Sequence, residues 1–100
     1  MRALAGLLQP VEAETPYGGR SVTYDSLGVV WLAAGERRRR ERTEAGVTRA
    51  IETMTAETRA DPRLVEGRVL RFGGRDWAIA AIDADPGAPG RVSLSLERGR

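Results

Sequence analysis

The chain has 100 residues and a mass of 10.9 kDa, with 41% hydrophobic and 30% charged residues. That is the balance of one small folded domain, whose modest buried surface makes oligomerisation an expectation. Cysteine and histidine are both absent. Disulfides, thiolate and imidazole metal sites, iron–sulfur clusters, a Cys nucleophile and a Ser-His-Asp triad are thereby excluded. Lysine is absent too, so all 16 basic residues are Arg and a Ser-Lys dyad is excluded. The sequence pI of about 9.9 beside a net charge of only +2 reflects this shortage of groups titrating above neutrality, not a large positive field.

The first segment, Leu7–Glu14, leads into the turn Tyr17-Gly18-Gly19-Arg20, where Gly18 and Gly19 supply the positive φ a tight reversal needs. The opening Met1–Leu8 is too short an apolar run for a signal peptide, and nothing approaches the ~18–20 residues of a membrane-spanning helix. Ser21–Ala34 carries Val22, Tyr24, Val29, Val30 and Trp31, all β-favouring, with Gly28 marking a bulge or bend.

Gly35–Gly46 has no apolar stripe and reads as a charged loop or a solvated helical arm. Val47–Arg59 fits helical spacing through Val47, Ala50, Ile51 and Met54, but its threonines favour a strand over Ala50–Arg59. Pro62 ends it.

Arg68–Phe72 and Asp76–Ile82 flank a second glycine turn, Gly73-Gly74. After the turn Asp85–Gly90, Val92, Leu94 and Leu96 alternate with Ser93, Ser95 and Glu97, the period of a half-buried strand. The last third is therefore a three-stranded meander. The whole reads as a mainly β domain over residues 1–100: a small barrel or sandwich of five to six antiparallel strands, with a charged loop or short helix inserted at about 35–47.

Few residues suggest chemistry. Asp83 and Asp85 flank a turn but lack the further ligands of a calcium loop. The glycine pairs open no helix and make no phosphate loop. Trp31, Phe72 and Trp77, with Ile79, Leu94 and Leu96, lie in apolar runs and are assigned to the core rather than to a stacking platform. Tyr17 is expected at an exposed turn tip. The outlying feature is Arg37, Arg38, Arg39, Arg40 and Arg42, partly offset by Glu36, Glu41 and Glu44. A solvated charged face and a phosphate-binding surface explain it equally well. No catalytic residue, cofactor or metal site is expected.

Taken in order, several segments resemble the phage head–tail joining family, also called head-completion or stopper proteins. They are Leu8-Gln9-Pro10, Tyr17-Gly18-Gly19, the aromatic Tyr24, Val30-Trp31-Leu32-Ala33, the charged segment, and the run Gly67-Arg68-Val69-Leu70-Arg71-Phe72-Gly73-Gly74-Arg75-Asp76-Trp77-Ala78-Ile79. Glu41–Gly46 and Glu57–Arg63 look most like the versions in gene transfer agents of alphaproteobacteria. The middle is unusually Arg-rich and the first strand Ala-rich beside that pattern.

The resemblance implies a non-enzymatic β-barrel subunit of a homo-oligomeric, hexameric ring, assembled in the bacterial cytoplasm into a phage-like particle. Portal and adaptor proteins would sit on its head side and a tail terminator on its tail side. Double-stranded DNA would pass through the channel without sequence readout, and no membrane is involved. Carried onto this chain, the family's inserted channel loop corresponds to Gly35–Val47, which makes the five arginines channel-facing candidates. The competing expectation is a freestanding, sequence-independent nucleic-acid-binding β-barrel that uses Arg37–Arg42.

Overall fold

A computed structural model describes residues 1–99. Six strands form one antiparallel sheet: β1 (Arg2–Glu14), β2 (Arg20–Glu44), β3 (Val47–Arg59), β4 (Val69–Phe72), β5 (Arg75–Ala84) and β6 (Arg91–Gly99). The sheet closes into a barrel in the order β1-β2-β3-β6-β5-β4. The mainly β, six-stranded architecture is as expected, and β4–β5–β6 is the meander read from the sequence.

Alternation fills the barrel. Ala5 and Leu7 of β1, Val30, Leu32 and Ala34 of β2, and Met54 and Ala56 of β3 point inward. Leu70 and Phe72 of β4, Trp77 and Ile79 of β5, and Leu94 and Leu96 of β6 meet them. Each large apolar side chain so buried contributes about 1.5–3 kcal/mol. Phe72 and Trp77 stack with ring centroids 6.3 Å apart. Leu64, in the β3–β4 connection, joins the same core.

Trp31 requires a correction. It is 58% exposed, not core. Its neighbours Val30 and Leu32 both point inward, so the residue between them must point outward. There it lies opposite Leu4 and beneath the Arg2 guanidinium, 5.6 Å from the ring centre.

The charged middle also departs from expectation. Gly35–Glu44 is neither loop nor helix but the continuation of β2, paired with β3 as far as Glu44↔Val47. The strand in the next segment starts at Val47 rather than Ala50. Toward its root the ribbon stays in the sheet, because residues 51–54 of β3 also pair with β6 and bury Glu52 and Met54. Only residues 41–44 with 47–50 stand clear as two strands, and there the ribbon draws its hydrogen bonds from its own partner and needs no apolar stripe. Its turn is Ala45-Gly46, with φ of 51° and 79°, the left-handed pair a two-residue hairpin requires. Gly73-Gly74, at 60° and 73°, makes the same turn. At the first hairpin only Gly18 has positive φ. Gly19 does not, because the loop is longer than a two-residue turn. It runs from Thr15 to Gly19, and the Gly19 amide donates to Thr15 Oγ1 at 3.0 Å. β1 ends at Glu14, the end of the first segment read from the sequence, but begins earlier, at Arg2.

Spanning 25 residues, β2 would reach roughly 80 Å if straight, yet the molecule's longest dimension is 49 Å. Two bulges bend it. One is at Leu27-Gly28, where a single residue of β1 faces two of β2 and Gly28 has φ of 104°. The other is at Gly35-Glu36, opposite Thr55. A hairpin arm begins at each bulge; at the second, β2 parts from β1 while β3 stays paired with β6 as far as Ile51. The first arm is Gln9–Glu14 with Arg20–Asp25, and the second is Arg37–Glu44 with Val47–Met54.

Candidate nucleic-acid interface

The second arm carries all five arginines of the run on one strand, and the bulge at its root decides where each points. Up to Ala34 the inward residues of β2 are even-numbered. The extra residue at Gly35-Glu36 reverses this: Arg37 lies opposite Met54 and Arg39 opposite Glu52, both buried and inward-facing. Arg37 and Arg39 therefore lie on the barrel-mouth face of the arm. Arg38, Arg40 and Arg42, opposite Thr53, Ile51 and Arg49, lie on the outer face.

Gly35 permits this geometry. A Cβ there would stand 2.8 Å from the Thr55 carbonyl oxygen, a backbone atom that cannot turn aside.

The arginines differ in what holds them. Arg42 donates to Glu97 Oε1 at 2.6 Å, and that hydrogen bond raises the guanidinium pKa above its ordinary value. It also lies directly across from Arg49, a like-charge pairing that costs the ribbon stability. Among the described residues, no acid lies within ion-pairing distance of Arg37, Arg38, Arg39 or Arg40. Glu36, Glu41 and Glu44 belong to the same strand but do not close onto them. Four unpaired, exposed guanidiniums, each a planar fork of donors, suit oxyanions.

Arg38, Arg39 and Arg40 line a groove of about 830 Å³ with Thr53, Thr55, Ser95 and Glu97. Thr43 and Thr48 share a hydroxyl hydrogen bond of 2.9 Å nearer the tip.

A chain from a solved structure of the virion of a native gene transfer agent (GTA) particle shares this architecture. It superposes with a TM-score of 0.68 at 25% identity, covering 97% of this chain and 93% of that one. The likeness supports a structural role in a virion. No protein-family model and no curated protein matches the chain.

The remaining sequence candidates separate cleanly. Phe72, Trp77, Ile79, Leu94 and Leu96 are interior, and Gly18, Gly19, Gly73 and Gly74 are at turns. Tyr17 is 98% exposed at the tip of the first arm. Asp85 accepts the Gly87 amide at 2.9 Å and shapes its own turn, and among the described residues no acid cluster is able to hold a metal.

Sequence reasoning missed Arg63 and Arg75. Arg63 clasps the first bulge: its Nη1 donates to the Leu27 carbonyl at 2.7 Å and its Nη2 to that of Val29 at 3.3 Å. The same guanidinium forks onto Asp61, whose carboxyl it holds at about 2, well below the ordinary carboxylate value. Arg68 braces this loop from below, donating to Gln9 Oε1 at 2.8 Å and to the Arg63 carbonyl. Arg75 leaves the Gly-Gly turn beside the barrel mouth. The one available signal was the adjacency of Asp61-Pro62-Arg63, which the sequence presents only as a strand stop.

Proposed function

We propose that this chain is a head–tail connector subunit of the stopper or head-completion type. It forms a homo-oligomeric ring between the portal–adaptor complex and the tail of a phage-like particle, with DNA passing through its centre. The observation that carries this reading is the full-length likeness to a chain of a gene transfer agent virion. The work is mechanical and electrostatic, with no catalytic residue and no cofactor.

The two arms support head-to-tail association. They begin at separate bulges of β2. The first carries Glu12, Glu14 and Asp25 against a single Arg20, together with exposed Val11, Val22 and Tyr24. The second, counted from Gly35 to Met54, carries six arginines against four glutamates. Unlike, complementary ends make a heterologous contact, which closes into a ring when the rotation permits. In such a ring the unpaired arginines form a collar that holds DNA by its phosphates, without reading bases. Its grip weakens with salt, which suits a channel that must also let DNA leave.

Deletion of the gene from the producing strain tests this reading by electron microscopy of the particles. The expected result is heads that package DNA but lose it and carry no tails. Intact tailed particles with normal transfer activity would overturn it. Light scattering of the purified chain with and without duplex DNA separates the other class. A monomer that binds duplex tightly and never joins portal-complex proteins is a freestanding nucleic-acid-binding barrel.

A further inference from the structure

We infer that the arginine run serves two sites, and that Arg75, 33 residues beyond its end, completes one of them: a phosphate-binding pocket at the barrel mouth. The pocket, about 300 Å³, is lined by Arg37, Arg38, Arg39, Arg75 and Glu52. The bulge at Gly35-Glu36 turns Arg37 and Arg39 to the inner face of the arm, and Arg38 borders the pocket from the strand between them. Arg75 joins them from a different element, the start of β5.

The charge balance calls for an anion. Among the described residues none of these four arginines has an acid within ion-pairing distance. The pocket's one acid, Glu52, is 6% exposed and already engaged, with Arg98 Nη1 3.4 Å from its Oε1. Arg98 is itself fixed over the Trp77 ring at 5.8 Å. With one acid against four arginines, the lining keeps an excess of positive charge. Guanidiniums that share a pocket repel each other until an oxyanion bridges them, and their forked donors match the oxygens of a tetrahedral phosphate. A phosphate dianion or a backbone phosphodiester supplies the same chemistry. That the source is DNA rests on the proposed connector role; that the pocket takes phosphate does not.

The experiment follows the arginine Nε–H resonances of the whole chain by NMR during titration with inorganic phosphate, and separately with a short duplex. The same titrations are repeated on Arg75→Gln and on Arg91→Gln, a control at an exposed strand end. Phosphate should shift Arg37, Arg39 and Arg75 together. Arg75→Gln should weaken phosphate binding about tenfold or more, the scale of one lost charge-assisted hydrogen bond, whereas Arg91→Gln should leave it unchanged. An amide fingerprint spectrum of Arg75→Gln that matches the parent excludes misfolding as the cause, and Arg75→Lys should recover part of the affinity.

Shifts spread evenly over every exposed arginine, Arg91 included, would overturn the site and leave only a diffuse cationic surface. Phosphate binding that is indifferent to Arg75→Gln would overturn it as well. Concerted phosphate shifts with no duplex binding would support the pocket and count against DNA as its source.

Discussion

The two arms are the same supersecondary element put to opposite uses, and their roots show why. The first arm begins at a bulge held by charge: Arg63 clasps the Leu27 and Val29 carbonyls and is itself held by Asp61. The second begins at a bulge held by shape, with Gly35 packed against the Thr55 carbonyl. Beyond the roots the contrast reverses. The first arm pairs an aromatic with proline, Tyr24 with Pro10, lays Arg71 over the Tyr24 ring and joins Arg20 to Glu12 at 3.1 Å. The second sets Arg42 against Arg49 and leaves four arginines unpaired. The arm that spends least on its own stability presents the most unsatisfied charge. A surface for a charged partner is made by leaving its internal pairs unmade.

The largest effect should come from the core on which the second arm stands. Trp77→Ala should cost about 3–5 kcal/mol, seen as a large fall in the thermal midpoint. Trp31→Ala, on the outer face, should leave the midpoint of the isolated chain almost unmoved. Equal losses would mean that Trp31 is held in the core after all.

Next is the steric root. Gly35→Ala drives a methyl into backbone and should cost roughly 1–3 kcal/mol, with protection from amide exchange lost first in Arg37–Glu44. Unaltered exchange there would show that the bulge has another conformation open to it.

The electrostatic root should respond to acid. Asp61 has a folded pKa near 2, depressed from 3.8 by Arg63. Its contribution is therefore complete above about pH 4 and is lost as pH falls through about 2. Amide shifts of Leu27, Gly28 and Val29 should move across that range and those of Gly35 and Glu36 much less. Arg63→Gln should abolish the difference. If both roots move together, the clasp is not what holds the first bulge.

The smallest effect belongs to the tip of the second arm. Ala45 sits at φ of 51°, a conformation that costs a non-glycine residue about 1 kcal/mol. Ala45→Gly should slow exchange in the arm severalfold without moving the global midpoint, because little of the core depends on the ribbon.

These two arms also mark how far the sequence discloses the structure. The barrel is legible where burial imposes a period: Val92, Leu94 and Leu96 against Ser93, Ser95 and Glu97 admit one reading. Gly28 discloses its bulge because a glycine interrupts an apolar strand. The second arm is hidden because arginines on both faces carry no period, so nothing distinguishes a solvated ribbon from a loop. Trp31 misleads for a related reason. Within Val29-Val30-Trp31-Leu32 every residue is apolar, and the phase of the strand is set by its partners, not by its composition. Arg75 joins Arg37 and Arg39 only through the closure of the barrel, a relation between segments too far apart in the chain for any local pattern to record.

Because one strand, β2, runs through both arms, the molecule has a continuous load path. Its first part is paired with β1 from Arg20 to Ala33 and its second with β3 from Ala33 to Glu44. A pull that separates the two tips is carried by the covalent backbone of β2, which can lengthen only by straightening its two bends against the pairing with β1 and β3. A pull that opens either hairpin would part its hydrogen bonds one at a time. Partners attached at Tyr17 and at Gly46 would therefore be joined by a tie that resists stretching, bent at two fixed points, with the barrel as the block that keeps its angles.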